Sequence, residues 1–250
     1  MSEAVAPVVE VFSSFQGEGL LVGVRQVFVR LAGCPLSCAY CDTAAARQAT
    51  AVCRVWHEPV GGVSEDLPNP VAASRVAAIV SGMVAAAPHH SVSFTGGEPL
   101  LHPDFVVAMA QRMAAGGLQS YLDTACCLPD AMARVAPLMD WVAADYKLPS
   151  TIAQPVPFED FAVCWSQIAG ERFVKLVVTG EVSRSEILEF CRQMQATDPK
   201  ARIVLQPVTP VVPGVEPPRP DLLYVLAATC AEYFADVRVI PQCHRLVGVR

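Results

Sequence analysis

Short apolar segments recur along the chain and alternate with longer segments of helical character. Each apolar segment is rich in Val, Ile, Leu or aromatic residues and is bounded by turn residues, which predicts buried strands. The predicted strands are residues 8–12, 26–31, 92–94, 120–122, 141–144, 173–178, 203–205 and 237–240. The predicted helices are residues 70–87, 104–115, 129–136, 183–196 and 220–235, and the fourth opens on a Ser-x-x-Glu capping box.

The regular alternation of strand and helix predicts an α/β fold with a mostly parallel sheet covered by helices. The strands are apolar almost throughout, as expected when helices cover both faces of a sheet. Residues 207–220 are rich in proline and indicate an ordered surface loop, whereas residues 44–70 show no period and are predicted to be irregular. No domain linker is apparent, so we expect a single domain over residues 1–250.

Polar residues follow the ends of successive predicted strands. In parallel α/β sheets and barrels, ligands bind at the edge where the carboxyl ends of the strands meet. Each of these residues alone is compatible with a surface position, but together they predict a pocket at that edge. They are Thr95, Asp123, Thr124, Asp145, Lys147, Thr179, Gln206 and Gln242.

Composition narrows the class of protein. Hydrophobic residues make up 53% of the chain and charged residues 17%, which excludes intrinsic disorder. The net charge of −6 argues against a nucleic-acid backbone as the main partner. No apolar run reaches the roughly 20 residues of a membrane span, and the first residues lack the pattern of a signal peptide. We therefore expect a cytoplasmic protein with no membrane partner.

Three of the ten cysteines are clustered directly after a predicted strand. Cys34, Cys38 and Cys41 have C-x3-C-x2-C spacing, and no second pair completes a four-ligand zinc site. Three thiolates on one loop favour a [4Fe–4S] cluster that leaves one iron open. Tyr40 precedes the last cysteine, where its ring is placed to stack on a flat ligand. The neighbouring pair Cys126-Cys127 is a poor ligand set and receives no role.

A second motif is Gly-Gly-Glu-Pro at residues 96–99, after the predicted strand 92–94. Two glycines at a strand end let the backbone approach a ligand closely, and the carboxylate is suited to an ammonium group. Together with the cysteine triplet, this motif resembles the radical S-adenosylmethionine superfamily.

Further segments resemble one family of that superfamily, the 7-carboxy-7-deazaguanine synthases. They are Gln-Gly-Glu-Gly at residues 16–19, Cys-Asp-Thr at 41–43, Asp-Tyr-Lys-Leu-Pro-Ser at 145–150 and the ending at 240–250. The resemblance covers nearly the whole chain apart from residues 44–70. It implies an incomplete TIM-like (β/α) barrel of the radical S-adenosylmethionine type, with the active site at the carboxyl edge of the strands.

The resemblance implies conversion of 6-carboxy-5,6,7,8-tetrahydropterin to 7-carboxy-7-deazaguanine with loss of ammonia, on the route to queuosine. Its implied cofactors are a [4Fe–4S] cluster, S-adenosylmethionine and Mg²⁺, and the radical comes from the cofactor rather than from a catalytic side chain. The implied partners are an electron donor such as flavodoxin or ferredoxin and a second copy of the chain in a homodimer.

The resemblance also implies roles for residues. Cys34, Cys38 and Cys41 would ligate iron, and Thr43 would ligate Mg²⁺. Those expected to contact S-adenosylmethionine are Tyr40, Cys41, Asp42, Gly97, Glu98, Asp145, Tyr146, Lys147, Gln206, Pro207 and Val208. Those expected to contact the substrate are Phe15, Gln16, Gly17, Glu18, Arg30, Thr95, Gln242 and His244.

Two alternatives stay open at this stage. A glycyl-radical-enzyme activase shares the cysteine spacing but acts on a protein, and its usual His-Asn after the last cysteine is Asp42-Thr43 in this chain. A zinc or iron–sulfur binding module without enzymatic activity is disfavoured by the missing fourth ligand and by the full α/β pattern.

Overall fold

A ten-stranded sheet organises the computed structural model, which describes residues 3–57, 62 and 64–249. The strands are β1 (Val5–Ala6), β2 (Val8–Phe15), β3 (Arg25–Leu31), β4 (Val52–Trp56), β5 (Ser64–Pro68), β6 (Val71–Ala72), β7 (Ser91–Gly96), β8 (Gln119–Thr124), β9 (Trp141–Asp145), β10 (Glu171–Val178), β11 (Ile203–Pro207) and β12 (Val237–Val239). The helices are α1 (Ala73–Ala86), α2 (Pro103–Ala115), α3 (Pro129–Val135), α4 (Phe158–Ser166), α5 (Arg184–Thr197), α6 (Pro220–Ala231) and α7 (Cys243–Val247).

The central sheet runs in the order β12-β11-β10-β9-β8-β7-β3-β2-β4-β5. The strands from β3 to β12 in that order are all parallel, whereas β2 is antiparallel to β3 and β5 is antiparallel to β4. Within the described residues no ladder joins β12 to β5, so the sheet stays open as a partial barrel. The predicted α/β class with a mostly parallel sheet is therefore confirmed. The strands β1 and β6 form a separate antiparallel pair.

All eight predicted strands and all five predicted helices are present, with ends shifted by a few residues. Helices α4 and α7 were not predicted, because both are short and neither has a side-chain cap at its amino end. Nothing regular occupies residues 208–219, as predicted for the proline-rich loop. Within the described ranges, no helix combines the length and apolar character that a membrane span requires.

The prediction for residues 44–70 was wrong where the structure describes them. This segment holds β4 and β5, which form an antiparallel hairpin at the edge of the sheet beside β2. Along β4 only alternate residues such as Cys53 and Val55 are buried, so the hairpin lacks the continuous apolar run of the central strands. Residues 58–61 and 63 of the same segment lie outside the described residues.

Side-chain alternation along the parallel strands builds the floor of the site. On the inner face, an apolar layer formed by Tyr121, Ala143, Phe173 and Val204 packs with Leu21. Because side chains on one face recur every second residue, the next inward position on each strand is two residues later. That second layer is polar at every one of the four strands, and its members are Asp123, Asp145, Lys175 and Gln206.

Candidate active site

A cavity of about 370 Å³ opens at the carboxyl edge of the parallel strands. It is lined by every residue predicted to bind metal, cofactor or substrate except Tyr146 and Pro207, and by all the polar residues predicted at strand ends except Thr179. The predicted pocket therefore exists at the predicted edge, and residues from the two ends of the chain contribute to it.

The cysteine loop is anchored at both of its sides. The amide of Gly33 donates to the carbonyl of Ala46 at 2.8 Å, and the amide of Ala39 donates to the carbonyl of Thr151 at 2.9 Å. Arg47 also donates to the Cys38 carbonyl at 2.7 Å. These bonds hold the loop over the cavity, although the loop itself forms no helix or strand.

The thiols of Cys34, Cys38 and Cys41 are free, partly buried and line the same cavity. Burial raises the pKa of Cys34 and Cys38, and the Lys147 ammonium works against that rise. Among residues 3–57, 62 and 64–249, no three His, Cys, Asp or Glu side chains enclose a single ion. Three unpaired thiols near a cation are a donor set that fits an iron–sulfur cluster, which carries negative charge when bound to thiolates.

The glycine motif after β7 is packed tightly under the cysteine loop. A Cβ added to Gly97 would overlap the carbonyl of Gly33. The amide of Gly97 donates to the Leu31 carbonyl at 2.9 Å, and the amide of Glu98 donates to the Gly33 carbonyl at 2.7 Å. Glycine is therefore required at residue 97 so that the two loops can meet.

Glu98 lines the cavity and is held by hydrogen bonds from the protein. Its carboxylate is 1% exposed and accepts hydrogen bonds from the Leu100 amide at 3.0 Å, the Thr124 hydroxyl at 2.7 Å and the Ala125 amide at 2.8 Å. Burial raises its pKa despite these bonds. The side chain joins two loops of the cavity wall, and with three of about four acceptor sites occupied, one site on Oε2 remains for a ligand. The expected contact of Glu98 with the amino group of S-adenosylmethionine stays a prediction.

Asp145 and Lys147 point into the cavity, whereas Tyr146 between them does not. The Tyr146 ring packs among Phe158 and Phe161 of α4 and Phe190 of α5. The Tyr146 side chain, predicted to contact S-adenosylmethionine, therefore lies outside the cavity lining, because successive extended residues face opposite sides. The same alternation along β11 leaves Pro207 outside the lining, in contrast to Gln206.

Buried polar atoms without a protein partner indicate where a ligand fits. The hydroxyl of Ser93, Oδ1 of Asp145 and Oε1 of Gln206 are buried and have no hydrogen-bond partner among the described residues. All three residues line the cavity. Since unpaired buried polar atoms are costly and rare, these atoms indicate that the cavity accommodates a polar ligand with hydroxyl or N–H groups, as the ribose and base of S-adenosylmethionine have.

The loop after β2 is held by Gln16, which is itself buried. Its Nε2 donates to Gln26 at 2.9 Å, and its Oε1 accepts from the Glu18 amide at 3.0 Å. The side chain of Gln16 therefore shapes the loop, and the more exposed Phe15 and the carboxylate of Glu18 are left to face the cavity.

The carboxyl-terminal segment covers this loop. Gln242 Nε2 donates to Glu18 Oε1 at 2.7 Å and to Asp42 Oδ2 at 3.0 Å. A Cβ on Gly17 would overlap the His244 ring, and Arg245 pairs with Asp42 at 3.2 Å. The segment thus connects the first loop of the cavity with the cysteine loop.

Arg30 is held from one side. Its Nε donates to Glu10 Oε1 at 2.9 Å, and the guanidinium lies 5.5 Å from the centroid of the Phe12 ring. Glu10 Oε2 in turn accepts from Trp56 Nε1 at 3.0 Å. Glu10 thus engages Nε of Arg30, which lines the cavity, and the planar fork of a guanidinium suits a carboxylate.

Thr43 and Thr95 also line the cavity. Thr43 precedes a short 3₁₀ helix at Ala44–Arg47 but makes no side-chain capping bond to it. The Thr43 hydroxyl therefore does not act as a helix cap, which would be its simplest structural role.

Sequence reasoning missed Lys175 and left Asp123 without a role. Lys175 is 4% exposed, and its ammonium contacts Glu18 at 2.7 Å and Asp123 and Asp145 at 3.2 Å. The available signal was a single charged residue within the apolar run of β10. Glu10 and Trp56 were also missed, because Trp56 lies in the hairpin that showed no period.

The chain resembles known proteins over its full length. Residues 15–125 match the family described as "4Fe-4S single cluster domain". A 7-carboxy-7-deazaguanine synthase of Geobacter sulfurreducens is 38% identical, with 99% of each chain covered. A 7-carboxy-7-deazaguanine synthase of Methanothermobacter thermautotrophicus is 34% identical, with 98% of each chain covered.

Solved structures show the same fold. A crystal structure of QueE from Escherichia coli superposes with a TM-score of 0.65 at 21% identity, covering 96% of this chain and 95% of that one. A radical SAM methyltransferase from Sphaerobacter thermophilus gives a TM-score of 0.61 at 12% identity, covering 93% of this chain and 77% of that one. With the fold shared and relatives of this identity matched from end to end, the chain belongs to the 7-carboxy-7-deazaguanine synthase family of radical S-adenosylmethionine enzymes.

Proposed function

We propose that the chain converts 6-carboxy-5,6,7,8-tetrahydropterin to 7-carboxy-7-deazaguanine and ammonia. The observation that carries the proposal is one cavity lined by three free cysteine thiols, an arginine fork and a partly buried carboxylate at Glu18. Removing one ammonia from the substrate gives the product formula, so the overall conversion needs no external oxidant.

Cys34, Cys38 and Cys41 would hold a [4Fe–4S] cluster, and the cluster with S-adenosylmethionine would supply the radical that removes hydrogen from the substrate. The protein's own residues bind and orient. Lys147 is charged: although burial lowers its pKa, Asp145 and other neighbours raise it well above the usual value. A charged Lys147 suits the carboxylate of S-adenosylmethionine, and Asp145 Oδ1 suits a ribose hydroxyl.

Gly97 would allow the cofactor to approach the backbone, and Gln206 and Val208 would line the same subsite together with Tyr40 and Asp42. The Tyr40 ring is buried, with Lys147 Nζ 5.4 Å from its centroid. Glu98 would hold the wall of this subsite in place through its hydrogen bonds with Leu100, Thr124 and Ala125.

Two charged side chains of the substrate subsite, Arg30 and Glu18, would complement groups of the substrate. Arg30 would bind the substrate carboxylate with its terminal nitrogens, since Glu10 already engages Nε. Glu18 would accept hydrogen bonds from the amino-pyrimidine edge of the pterin. Phe15 would cover the ring, while Gln242 and His244 close the subsite from the carboxyl-terminal segment.

Thr43 would ligate Mg²⁺, a hard cation that accepts hydroxyl, substrate and water oxygens. The Thr43 hydroxyl makes no capping hydrogen bond to the 3₁₀ helix that follows it, which supports this proposal. We further propose a homodimer, a cytoplasmic location and an electron donor such as flavodoxin or ferredoxin. Light scattering of the purified protein tests the dimer, and the activity of Thr43→Ala against Thr43→Ser over a Mg²⁺ titration tests the metal site.

The central experiment is anaerobic incubation of the reconstituted protein with the carboxytetrahydropterin, S-adenosylmethionine, Mg²⁺ and dithionite. We expect deazaguanine product and ammonia in equal amounts. Cys38→Ala should abolish both, whereas Cys53→Ala, which alters a cysteine of β4, should retain them. Cleavage of S-adenosylmethionine without deazaguanine would favour an activase, and protein that binds only zinc would favour a non-enzymatic module.

A further inference from the structure

Lys175 is a buried cation surrounded by three carboxylates. Its Nζ lies 2.7 Å from Glu18 Oε2 and 3.2 Å from both Asp123 and Asp145, and its side chain is 4% exposed. A buried ammonium is costly unless it is paired, so the three carboxylates stabilise its charge. Burial lowers the pKa of Lys175, but Asp123, Asp145 and Glu18 outweigh burial and raise it well above the usual value.

The position of Lys175 also fixes Glu18. Glu18 Oε2 accepts from Lys175, and Oε1 accepts from Gln242 at 2.7 Å. An ionised carboxylate offers about four acceptor sites, so roughly one remains on each oxygen for a ligand in the cavity. Burial raises the pKa of Glu18, yet Lys175 and Gln242 lower it well below its usual range.

We propose that Lys175 is a positioning and specificity-determining residue that keeps the Glu18 carboxylate charged and oriented, so that the cavity selects a ring edge with two adjacent N–H donors. The amino-pyrimidine edge of a pterin has this pattern, with the 2-amino group beside N3–H. The inference rests on the proposed function. It adds that Lys175 keeps Glu18 ionised, so that this carboxylate only accepts hydrogen bonds.

Loss of the ammonium would reverse this preference. Without Lys175, Glu18 lies partly buried near Asp123 and Asp145, and both partial burial and like charge favour its protonated form. A protonated carboxyl presents one O–H donor beside one carbonyl acceptor. That pair complements a ring edge with a carbonyl beside an N–H, as in a lumazine, rather than the two donors of a pterin.

The titratable groups that face Lys175 and Glu18 are Tyr121 and Asp123 from β8, Asp145 from β9, Lys147 after it, and His244 from α7. Burial lowers the pKa of His244, and its charge therefore changes as the pH falls below 6.5. The comparison is made between two ligands at one pH so that this change affects both equally.

The test uses the full-length, cluster-reconstituted protein and two fluorescent probes at a slightly acidic pH where both rings are neutral. The probes are 6-carboxypterin and 6-carboxylumazine, which differ in a 2-amino group against a 2-carbonyl. The variants are Lys175→Met, Lys175→Arg and the double variant Lys175→Met with Asp123→Asn, which removes one charge of each sign. Circular dichroism and iron content check that each variant is folded and loaded.

We expect the wild-type protein to bind the pterin at least about tenfold more tightly than the lumazine, since a charge-assisted hydrogen bond is replaced by a repulsive contact. Lys175→Met should lose or reverse that preference, and Lys175→Arg should retain most of it. If Lys175→Met does not fold, the double variant decides. A wild-type preference kept in Lys175→Met or in the double variant would overturn the inference but leave the proposed function intact. Failure of the wild-type protein to bind either probe would overturn both the substrate class and the inference.

Discussion

The amide of Cys243 donates a 2.8 Å hydrogen bond to the carbonyl of Gly17. The bond joins the last helix of the described chain to the first loop of the cavity, and Gln242 extends the connection to Glu18 and Asp42. The carboxyl-terminal segment is therefore part of the cavity wall, although α7 is short and none of its residues is buried.

Gly17→Ala should displace this segment. The added Cβ would overlap the His244 ring, so the ring and the helix that carries it must move away from the loop. We expect a rise of about tenfold or more in KM for the pterin, from the loss of about 1–2 kcal/mol of packing and hydrogen bonding. Steady-state kinetics with the reconstituted protein measures this effect.

Gly82→Ala is the matched control for that substitution. Gly82 lies in α1, and a Cβ there would meet nothing within 4 Å. Alanine in a helix interior is favoured over glycine by about 0.5–1 kcal/mol, so stability should rise slightly and KM should stay unchanged. A Gly17→Ala protein as active as Gly82→Ala would show that the contact with His244 has no part in substrate binding.

Acidification should loosen the same segment. Burial lowers the pKa of His244 below its usual value of 6.5, and the charge of Arg245 adds to this, although Glu18 and Asp42 work in the other direction. A histidine with a lowered pKa in the folded state stabilises that state fully above pH 6.5. This stability is lost as the pH falls from 6.5 through the lowered pKa.

Hydrogen exchange of residues 242–249, expressed as protection factors at several pH values, measures that loosening. Protection should fall below pH 6.5 in the wild-type protein and should vary less in His244→Gln, which cannot gain the charge. Protection in the wild-type protein that is constant across this range would refute the assignment of the effect to His244.

Glu98→Gln should destabilise the fold. The buried carboxylate accepts three hydrogen bonds, and a glutamine amide would turn its NH₂ group toward at least one of those donors. We expect a loss of about 2–4 kcal/mol in the free energy of unfolding, as for other unsatisfied buried groups. Urea unfolding measures it. The exposed Asp104→Asn on α2 serves as the control and should stay within about 0.5 kcal/mol of the wild-type protein.

The sequence predicted the central strands, the cavity edge and most of the lining residues because these leave local signals. Continuous apolar runs marked the parallel strands, and glycines and cysteines at strand ends marked the loops. The exclusion of Tyr146 also follows from local geometry, since its neighbours Asp145 and Lys147 face the cavity. The prediction for Tyr146 rested instead on the resemblance of residues 145–150 to the family, and it did not use the alternation of side chains.

The remaining features depend on contacts between distant segments. Lys175 meets Glu18, which is 157 residues away along the chain, and no local pattern in β10 identifies that partner. Nor does a local pattern reveal that Glu98 accepts hydrogen bonds at the end of β8, because strand order brings its partners Thr124 and Ala125 next to it. The edge hairpin was missed since half of each strand is exposed and its periodicity is weak.

Trp56→Phe should weaken substrate binding through Arg30 although Trp56 belongs to that edge hairpin. The indole N–H holds Glu10 at 3.0 Å, and Glu10 holds the Nε of Arg30 at 2.9 Å. Phenylalanine keeps the apolar contact but removes the donor, so Glu10 and the arginine fork become less well oriented. We expect KM for the pterin to rise about fivefold, corresponding to about 1 kcal/mol, with kcat nearly unchanged because ground and transition states both use the carboxylate contact.

Arg75→Gln provides the control, since Arg75 pairs with Glu65 of the same hairpin in an exposed ion pair of small energetic value. It should leave both KM and kcat at wild-type values. Glu10→Gln should resemble Trp56→Phe with a larger rise in KM, because it removes the charge that orients the guanidinium. If Trp56→Phe lowers kcat without changing KM, Trp56 affects the chemical step rather than substrate binding. That result would contradict its role in positioning Arg30.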